Sequence, residues 1–193
     1  MTSPTMRAAT RPRIGFTLIE LLTVVVVVGA MMAIAVPKLR ISPETEVQLA
    51  GMQLAQDLDL TRTRALSTRS LARVRFATGT RAYSGYLDDN GDGTVGETVA
   101  ERIALRGFQT RSLPARVTFG RGSASSAPET SGSGAVTFDG GLVDFDSRGL
   151  TFPMGSGGVV YLQHETDASA VVAVAVSPAG SVRLWTWHNG AWR

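Results

Sequence analysis

The sequence predicts an α+β protein in which a long amino-terminal helix carries a small antiparallel β-rich head. Three observations predict it. Residues 16 to 37 are almost wholly apolar, and residues 47 to 65 then repeat apolar side chains at helical spacing. From about residue 73 onward, short alternating segments separated by turn residues replace that period. The 193 residues suffice for one domain, and an apolar share of 44% is ordinary; its uneven placement carries the information. Cysteine is absent, which excludes disulfides, thiolate metal ligands and cysteine nucleophiles.

Residues 1 to 15 form a short basic leader with no acidic residue. The formal charge of +3 resides there: without Arg7, Arg11 and Arg13, basic and acidic side chains are equal in number. A basic leader before an apolar run orients the run with the leader in the cytoplasm. Phe16 to Pro37 is 22 residues, about 33 Å of helix and long enough to cross a hydrocarbon core. Small residues at Ala33 and Ala35 leave open a secretory cleavage there, but the length favours a retained anchor. Gly29 and Pro37 are candidate bends, with a simple helix end the alternative at Pro37. Glu20, inside the run, costs several kcal/mol in lipid unless it is paired or lies near the interface.

The octapeptide Gly15-Phe16-Thr17-Leu18-Ile19-Glu20-Leu21-Leu22, with its basic leader and apolar helix, resembles the amino-terminal motif of type IV pilins and of type II secretion pseudopilins. That resemblance implies cleavage between Gly15 and Phe16 by a prepilin peptidase, methylation of the new Phe16 amine, and pairing of Glu20 with the terminal amine of an adjacent subunit. It further implies a single-pass inner-membrane protein with a periplasmic head. The lipid bilayer holds the chain until an inner-membrane assembly platform passes it to a filament. There its partners are other pilins or pseudopilins, met through the amino-terminal helix.

Residues 38 to 72 are expected to extend the helix into the head. Ser42-Pro43-Glu44-Thr45-Glu46 reads as a helix start, with proline early and acids at the positive end of the dipole. Val47, Ala50, Leu54, Leu58, Thr61 and Ala65 follow at spacings of 3, 4, 4, 3 and 4 and form one core face. Leu49, Met52 and Leu60 lie off that line, facing solvent or a neighbouring subunit. Arg62, Arg64, Arg69, Arg73, Arg75 and Arg81 then arrive with no intervening acid. Arg62, Arg69 and Arg73, together with Arg183, are candidate nucleic-acid contacts; a solvated helix end and strand face is the favoured reading.

Residues 73 to 193 form the head. Expected strands are Val74 to Ala77, Arg81 to Leu87, Val99 to Leu105, Arg116 to Phe119, Ala135 to Phe138, Leu142 to Phe145, Val159 to Leu162, Ala170 to Val176 and Val182 to Trp187, arranged as two small sheets. The Ser/Gly tract from 120 to 134 is expected to be a mobile loop. Residues Ala50 to Leu71, and the course from Phe145 through Gly149 to Gly180-Ser181-Val182-Arg183, are similar to the GspH/FimT group of this pilin-like family. In DNA-uptake members a Gly-Arg-x-Arg motif occupies that last turn. Here Ser181 replaces its first arginine, so DNA is not the favoured partner.

Asp88, Asn90 and Asp92 alternate around glycines as oxygen ligands of Ca²⁺ do. Val99 stands at the twelfth position, so Glu97 is the remaining candidate for completing the loop. A hairpin connection rich in turn residues is the competing reading. No other cofactor is implied. An enzyme is not indicated: His164 beside Glu165 reads as a surface pair, while Ser147, Asp144 and Asp146 lack a nucleophile elbow. Gly155-Ser156-Gly157-Gly158 lacks a P-loop lysine. Trp185 and Trp187 share one strand face, with core closure favoured over an exposed recognition surface; Trp192, beyond the Asn189-Gly190 turn, is the better candidate for contacting a neighbour, with a tethered carboxyl-terminal hairpin as the alternative.

The expected function is a non-enzymatic minor pseudopilin of type II secretion, with a FimT-like minor pilin for pilus priming or DNA uptake as the alternative. A membrane-anchored binding domain unconnected with filaments is a third reading.

Overall fold

The computed structural model describes residues 16–35, 42–128, 130 and 132–193, with side chains from 34 and 35 left out. Helix α1 (Leu18–Ala35) belongs to one compact unit, and everything from α2 (Pro43–Thr68) onward belongs to another. Pro37, the leader, and Lys38 and Arg40, which by sequence look like charges at the membrane interface, lie outside the described residues. The 18 residues of α1 reach the last residue described before position 42, and among the described residues no helix is long and apolar enough to cross a membrane.

Helix α2 begins as its sequence dictates. The Ser42 hydroxyl accepts from the Thr45 amide at 3.3 Å, Pro43 needs no amide partner, and Glu44 and Glu46 occupy the first turn. Val47, Ala50, Leu54, Leu58, Thr61 and Ala65 are all buried, as the spacing predicted. That stripe packs on both sheets of the head.

The first sheet has the order β3-β2-β1-β5-β6, built from β1 (Ala72–Ala77), β2 (Ala82–Leu87), β3 (Thr110–Ser112), β5 (Leu142–Phe145) and β6 (Thr151–Phe152). The second has the order β10-β9-β8-β7-β4, from β4 (Val117–Phe119), β7 (Gly158–His164), β8 (Val171–Val176), β9 (Val182–His188) and β10 (Ala191–Trp192). All strand pairs are antiparallel. Leu54 and Leu58 of α2, Val74, Phe76 and Phe145 of the first sheet, and Val160, Leu162, Val172 and Val174 of the second share one core. Phe76 stacks on Phe138 at 5.9 Å and meets Phe119 edge-on at 6.2 Å.

Three expectations are corrected. Val99 to Leu105 is not a strand: Val99–Ala104 is a helix, α3. Thr98 accepts from the Glu101 amide at 3.2 Å while the Glu101 carboxylate accepts from the Thr98 amide at 2.7 Å. That capping box outweighs the strand preference of Val99 and Ile103, which stay exposed. Ala135 to Phe138 forms only a bridge, Val136 to Val160. The 120 to 134 tract, apart from Glu129 and Ser131, which lie outside the described residues, is a strap across the outer face of the second sheet. Ala124 and Ala127 are buried there, the Ala127 amide donates to the Tyr161 hydroxyl at 2.8 Å, and the Trp192 indole donates to the Ser126 carbonyl at 3.0 Å. Two alanines on an aromatic floor supply apolar contact that the tract's Ser/Gly composition conceals. The strap also explains β8, whose run VVAVAV lacks alternation because both of its faces are covered.

Trp185 and Trp187 pack in this outer cluster, apart from the main core, and Trp192 meets Trp187 edge-on at 5.1 Å. Trp192 is therefore engaged within its own chain.

Gly180, in the turn between β8 and β9, lies at φ +75, and a Cβ there would stand 2.0 Å from the Gly149 carbonyl oxygen. Gly190, at φ +83, has open space around it. We expect Gly180→Ala to lower stability by about 2 kcal/mol, combining backbone strain with displacement of a rigid carbonyl. Gly190→Ala carries the backbone strain alone, about 1 kcal/mol. Urea unfolding of both variants checks the difference; equal losses would show that the close approach to Gly149 costs nothing.

Candidate functional site

The amino-terminal helix places the residues of the pilin-like motif in order. Thr17 opens α1: the Glu20 amide donates to the Thr17 hydroxyl at 3.3 Å and to its carbonyl at 3.1 Å. Glu20 thereby lies in the first turn, where the helix dipole favours a carboxylate. The carboxylate itself has no hydrogen bond or ion pair among the described residues. Around it Phe16 is 79% exposed, Leu18 86% and Ile19 68%, and large apolar side chains remain exposed on every side of the helix as far as Met32. Such a helix is stable in water only when something else covers it. Gly15, on the other side of the expected cleavage bond, lies outside the described residues.

The Asp-rich loop is tied to itself. Asp88 accepts from the amides of Gly91 at 2.8 Å and Gly93 at 3.0 Å. Asp92 accepts from the Thr94 amide at 2.8 Å and from Asn90 Nδ2 at 2.8 Å. Hydrogen bonds from Thr94 and Asn90 hold the Asp92 carboxyl below its usual range. Glu97, the remaining candidate for completing a calcium loop, pairs with Arg73 and Arg75 of β1. Burial alone would raise its pKa; the hydrogen bonds and charges of the two arginines outweigh that and lower it. Among the described residues no group of three or more His, Asp or Glu is placed to hold a metal ion.

The arginine run does not form one cationic face. Arg62 donates to the Gly149 carbonyl at 3.0 Å and Arg64 to the Arg106 carbonyl at 3.2 Å. Arg69 closes α2 in the left-handed conformation at φ 57. Arg73 donates a two-pronged pair of hydrogen bonds to Asp144 at 2.7 and 2.8 Å, and this bonding to the carboxylate, outweighing burial, makes the guanidinium more basic than usual. Arg81 pairs with Glu165 and the Ala115 carbonyl. Arg183 lies on the exposed face of β9, opposite Ala175 in the ladder.

His164 is corrected from a surface residue to a buried one, 2% exposed. Its Nε2 lies 3.0 Å from Glu46 on α2, and its Nδ1 accepts from the Thr166 amide at 3.3 Å. The neighbour Glu165 is taken by Arg81, so the pair joins α2 to β7 and has no access to a substrate. Asp144 is consumed by Arg73, and Asp146 by Arg148 and by the Leu150 amide.

Sequence reading missed one polar centre. Asp57, 3% exposed in the core stripe of α2, accepts from Tyr83 Oη at 2.7 Å and from Arg111 Nε at 2.6 Å. Burial, reinforced by this hydrogen bond, pushes the Tyr83 hydroxyl well above its ordinary range. The available signal was an acid three residues after Leu54 on an otherwise apolar face.

Residues 10–36 match the family described as the prokaryotic N-terminal methylation motif. No curated protein matches the sequence. The fold is similar to that of the type IV minor pilin FimU of Pseudomonas aeruginosa, at TM-score 0.46 and 14% identity over 72% of this chain and 87% of that one. It is also similar to the minor pseudopilin EpsH of the type 2 secretion system of Vibrio cholerae, at TM-score 0.49 and 13% identity over 73% of this chain and 97% of that one. A second EpsH structure gives 0.47 and 14%, over 78% and 100%. The match over residues 10–36 spans the whole motif from Gly15 to Leu22, and the chain thus carries a prokaryotic N-terminal methylation motif at the start of its apolar helix.

Proposed function

We propose that the chain is a non-enzymatic minor pseudopilin of type II secretion, a subunit of a type IV pilin-like filament. A prepilin peptidase cuts between Gly15 and Phe16, and the Phe16 amine is methylated. The apolar segment anchors the chain in the inner membrane with its head in the periplasm. The assembly platform then passes it to the pseudopilus, where other pilin-like helices replace lipid around it. The reading needs no cofactor.

The observation that carries it is α1. This helix lies inside the methylation motif, carries exposed apolar side chains around its circumference, and has in its first turn Glu20, whose carboxylate has no partner among the described residues. Lipid and neighbouring helices are two successive coverings that suit such a surface, and a positive amine on a neighbour suits the carboxylate. The dispersal of Arg62, Arg64, Arg73, Arg75 and Arg81 onto carboxylates and carbonyls, with Ser181 in the last turn, supports this reading over a DNA-uptake minor pilin.

Mass spectrometry of the chain produced together with a prepilin peptidase tests it. The expected mature product begins at Phe16 and carries one added methyl group on its amine. An intact leader, or a terminus near Ala35, overturns the proposal.

A further inference from the structure

The sequence contains two asparagines, Asn90 and Asn189, and each is followed by glycine. The two pairs share a chemistry: the glycine nitrogen can attack the asparagine side-chain amide, because no Cβ on the glycine obstructs the approach. All four residues are exposed, and both glycines lie at positive φ, so neither access to water nor backbone region distinguishes the pairs. Their hydrogen bonds do.

At the first pair every reacting group is tied. The Gly91 amide, which holds the attacking nitrogen, donates to Asp88 at 2.8 Å. Asn90 Nδ2 donates to Asp92 at 2.8 Å, and Asn90 Oδ1 accepts from the Asp92 amide at 3.2 Å. An amide that donates to a carboxylate gives up its proton less readily, and releasing the side chain breaks further hydrogen bonds. At the second pair nothing is tied. Among the described residues neither the Asn189 side chain nor the Gly190 amide has a hydrogen bond, and Gly190 has open space around it. The turn is also held by a short pairing: Ala191 opposite His188, Trp192 opposite Trp187, and the mutual bonds of Arg193 and Thr186. Such a tip opens at lower cost than the interior ladder of β8, and opening supplies the backbone rotation that brings the Gly190 nitrogen to the Asn189 Cγ.

We propose that Asn189 is a site of spontaneous deamidation and isoaspartate formation, and that the fold protects Asn90 from the same reaction. The Gly190 nitrogen bonds to Cγ, its proton and the side-chain nitrogen leave together as ammonia, and a cyclic imide closes. One water then adds to a ring carbonyl. Breaking the bond from Gly190 N to Cγ gives aspartate; breaking the bond from Gly190 N to the Asn189 main-chain carbonyl carbon gives isoaspartate, whose backbone runs through Cβ. In both cases water supplies the new carboxyl oxygen and returns a proton to the Gly190 nitrogen, and the carboxyl proton passes to the ammonia. Isoaspartate lengthens the turn by one backbone carbon, and turn length sets the register of β10 on β9. The residue unseated is Trp192, which meets Trp187 edge-on at 5.1 Å and donates to the Ser126 carbonyl of the strap at 3.0 Å. The new carboxylate also enters a cleft of about 340 Å³ lined by Glu44 and His188, adding like charge beside Glu44.

The test ages the full chain in detergent micelles in mildly alkaline buffer and follows it by peptide mass spectrometry. The Asn189 peptide is expected to gain one dalton about tenfold or more faster than the Asn90 peptide. In urea, where both sites are released, the two rates converge, which separates the fold from the local sequence. Purified isoaspartate chains show faster amide hydrogen exchange at Thr186 and Arg193, while the interior Val174 amide stays slow. The Asn189→Asp variant, which has the charge and lacks the extra carbon, keeps Thr186 and Arg193 slow. The proposal is overturned if Asn189 does not react in micelles, if it reacts no faster than Asn90, or if its advantage persists in urea. It is equally overturned if Thr186 and Arg193 exchange in the isoaspartate chains as they do in fresh protein.

Discussion

Glu20→Ala is expected to leave membrane insertion intact and to reduce incorporation into filaments by tenfold or more, on the order of 1.4 kcal/mol or above at the subunit contact. The two halves of that outcome have opposite causes. In the single chain the carboxylate lies in the first turn of α1 among exposed apolar side chains, with no partner among the described residues. Removing it makes insertion easier, since an ionised group in an apolar run costs several kcal/mol. In the proposed filament the same charge would meet the positive Phe16 amine of a neighbour in a low-dielectric bundle, where attraction between unlike charges is strongest. Alanine deletes that attraction and, with it, the feature that distinguishes one axial register of two apolar helices from another. The readout is the ratio of sheared-filament to membrane fractions of the tagged chain, with Glu20→Gln separating charge from shape. Assembly of the alanine variant at the normal ratio would remove the role given to this residue.

The second large effect is expected within the head. Asp57→Ala should lower its stability by about 3 kcal/mol, or roughly 10 °C in Tm. Asp57 joins α2 to both β2 and β3, accepting from Tyr83 and from Arg111. Its removal strands the Tyr83 hydroxyl in a position 2% exposed and frees the Arg111 guanidinium, which lies over the Phe108 ring at 5.9 Å. Tyr83→Phe on the Asp57→Ala background should then cost little further, because the hydroxyl has already lost its partner. Thermal unfolding of the two single variants and the double variant in micelles measures the coupling. A loss under about 1 kcal/mol for Asp57→Ala would mean that water replaces the carboxylate at no cost.

Elements whose cause is local were legible. The start of α2 follows from Ser42, Pro43 and two acids within five residues, and its buried face follows from spacings alone. The hairpin between β9 and β10 follows from Asn189-Gly190, both at positive φ. The α3 segment was legible too, but misread: Thr98-Val99-Ala100-Glu101 is a capping-box pattern, and the strand preference of Val99 and Ile103 drew attention from it. The candidate sites were less legible, because a residue type states what a side chain can do and leaves open which partner it meets. Glu97 reads as a candidate calcium ligand or as part of a hairpin turn, and its pairing with two arginines on β1 is not legible from its own loop. His164 reads as exposed beside Glu165 and is buried against Glu46, which precedes it by 118 positions.

By itself the sequence determined the amino-terminal third of this protein: the methylation motif, the apolar helix with one acid, and the amphipathic helix that follows. Their causes act over one turn of helix or along a single run, so they are written in adjacent residues. Only the tertiary structure decided which charges remain available and which surfaces remain open. Arg73 meets Asp144 across 71 positions and Arg62 meets Gly149 across 87, and these long-range contacts dissolve the apparent basic cluster. The strap over Tyr161 and the short reach of β10 along β9 belong to the same class. Such pairings are set by how sheets stack and where edges end, and no spacing along the chain encodes them.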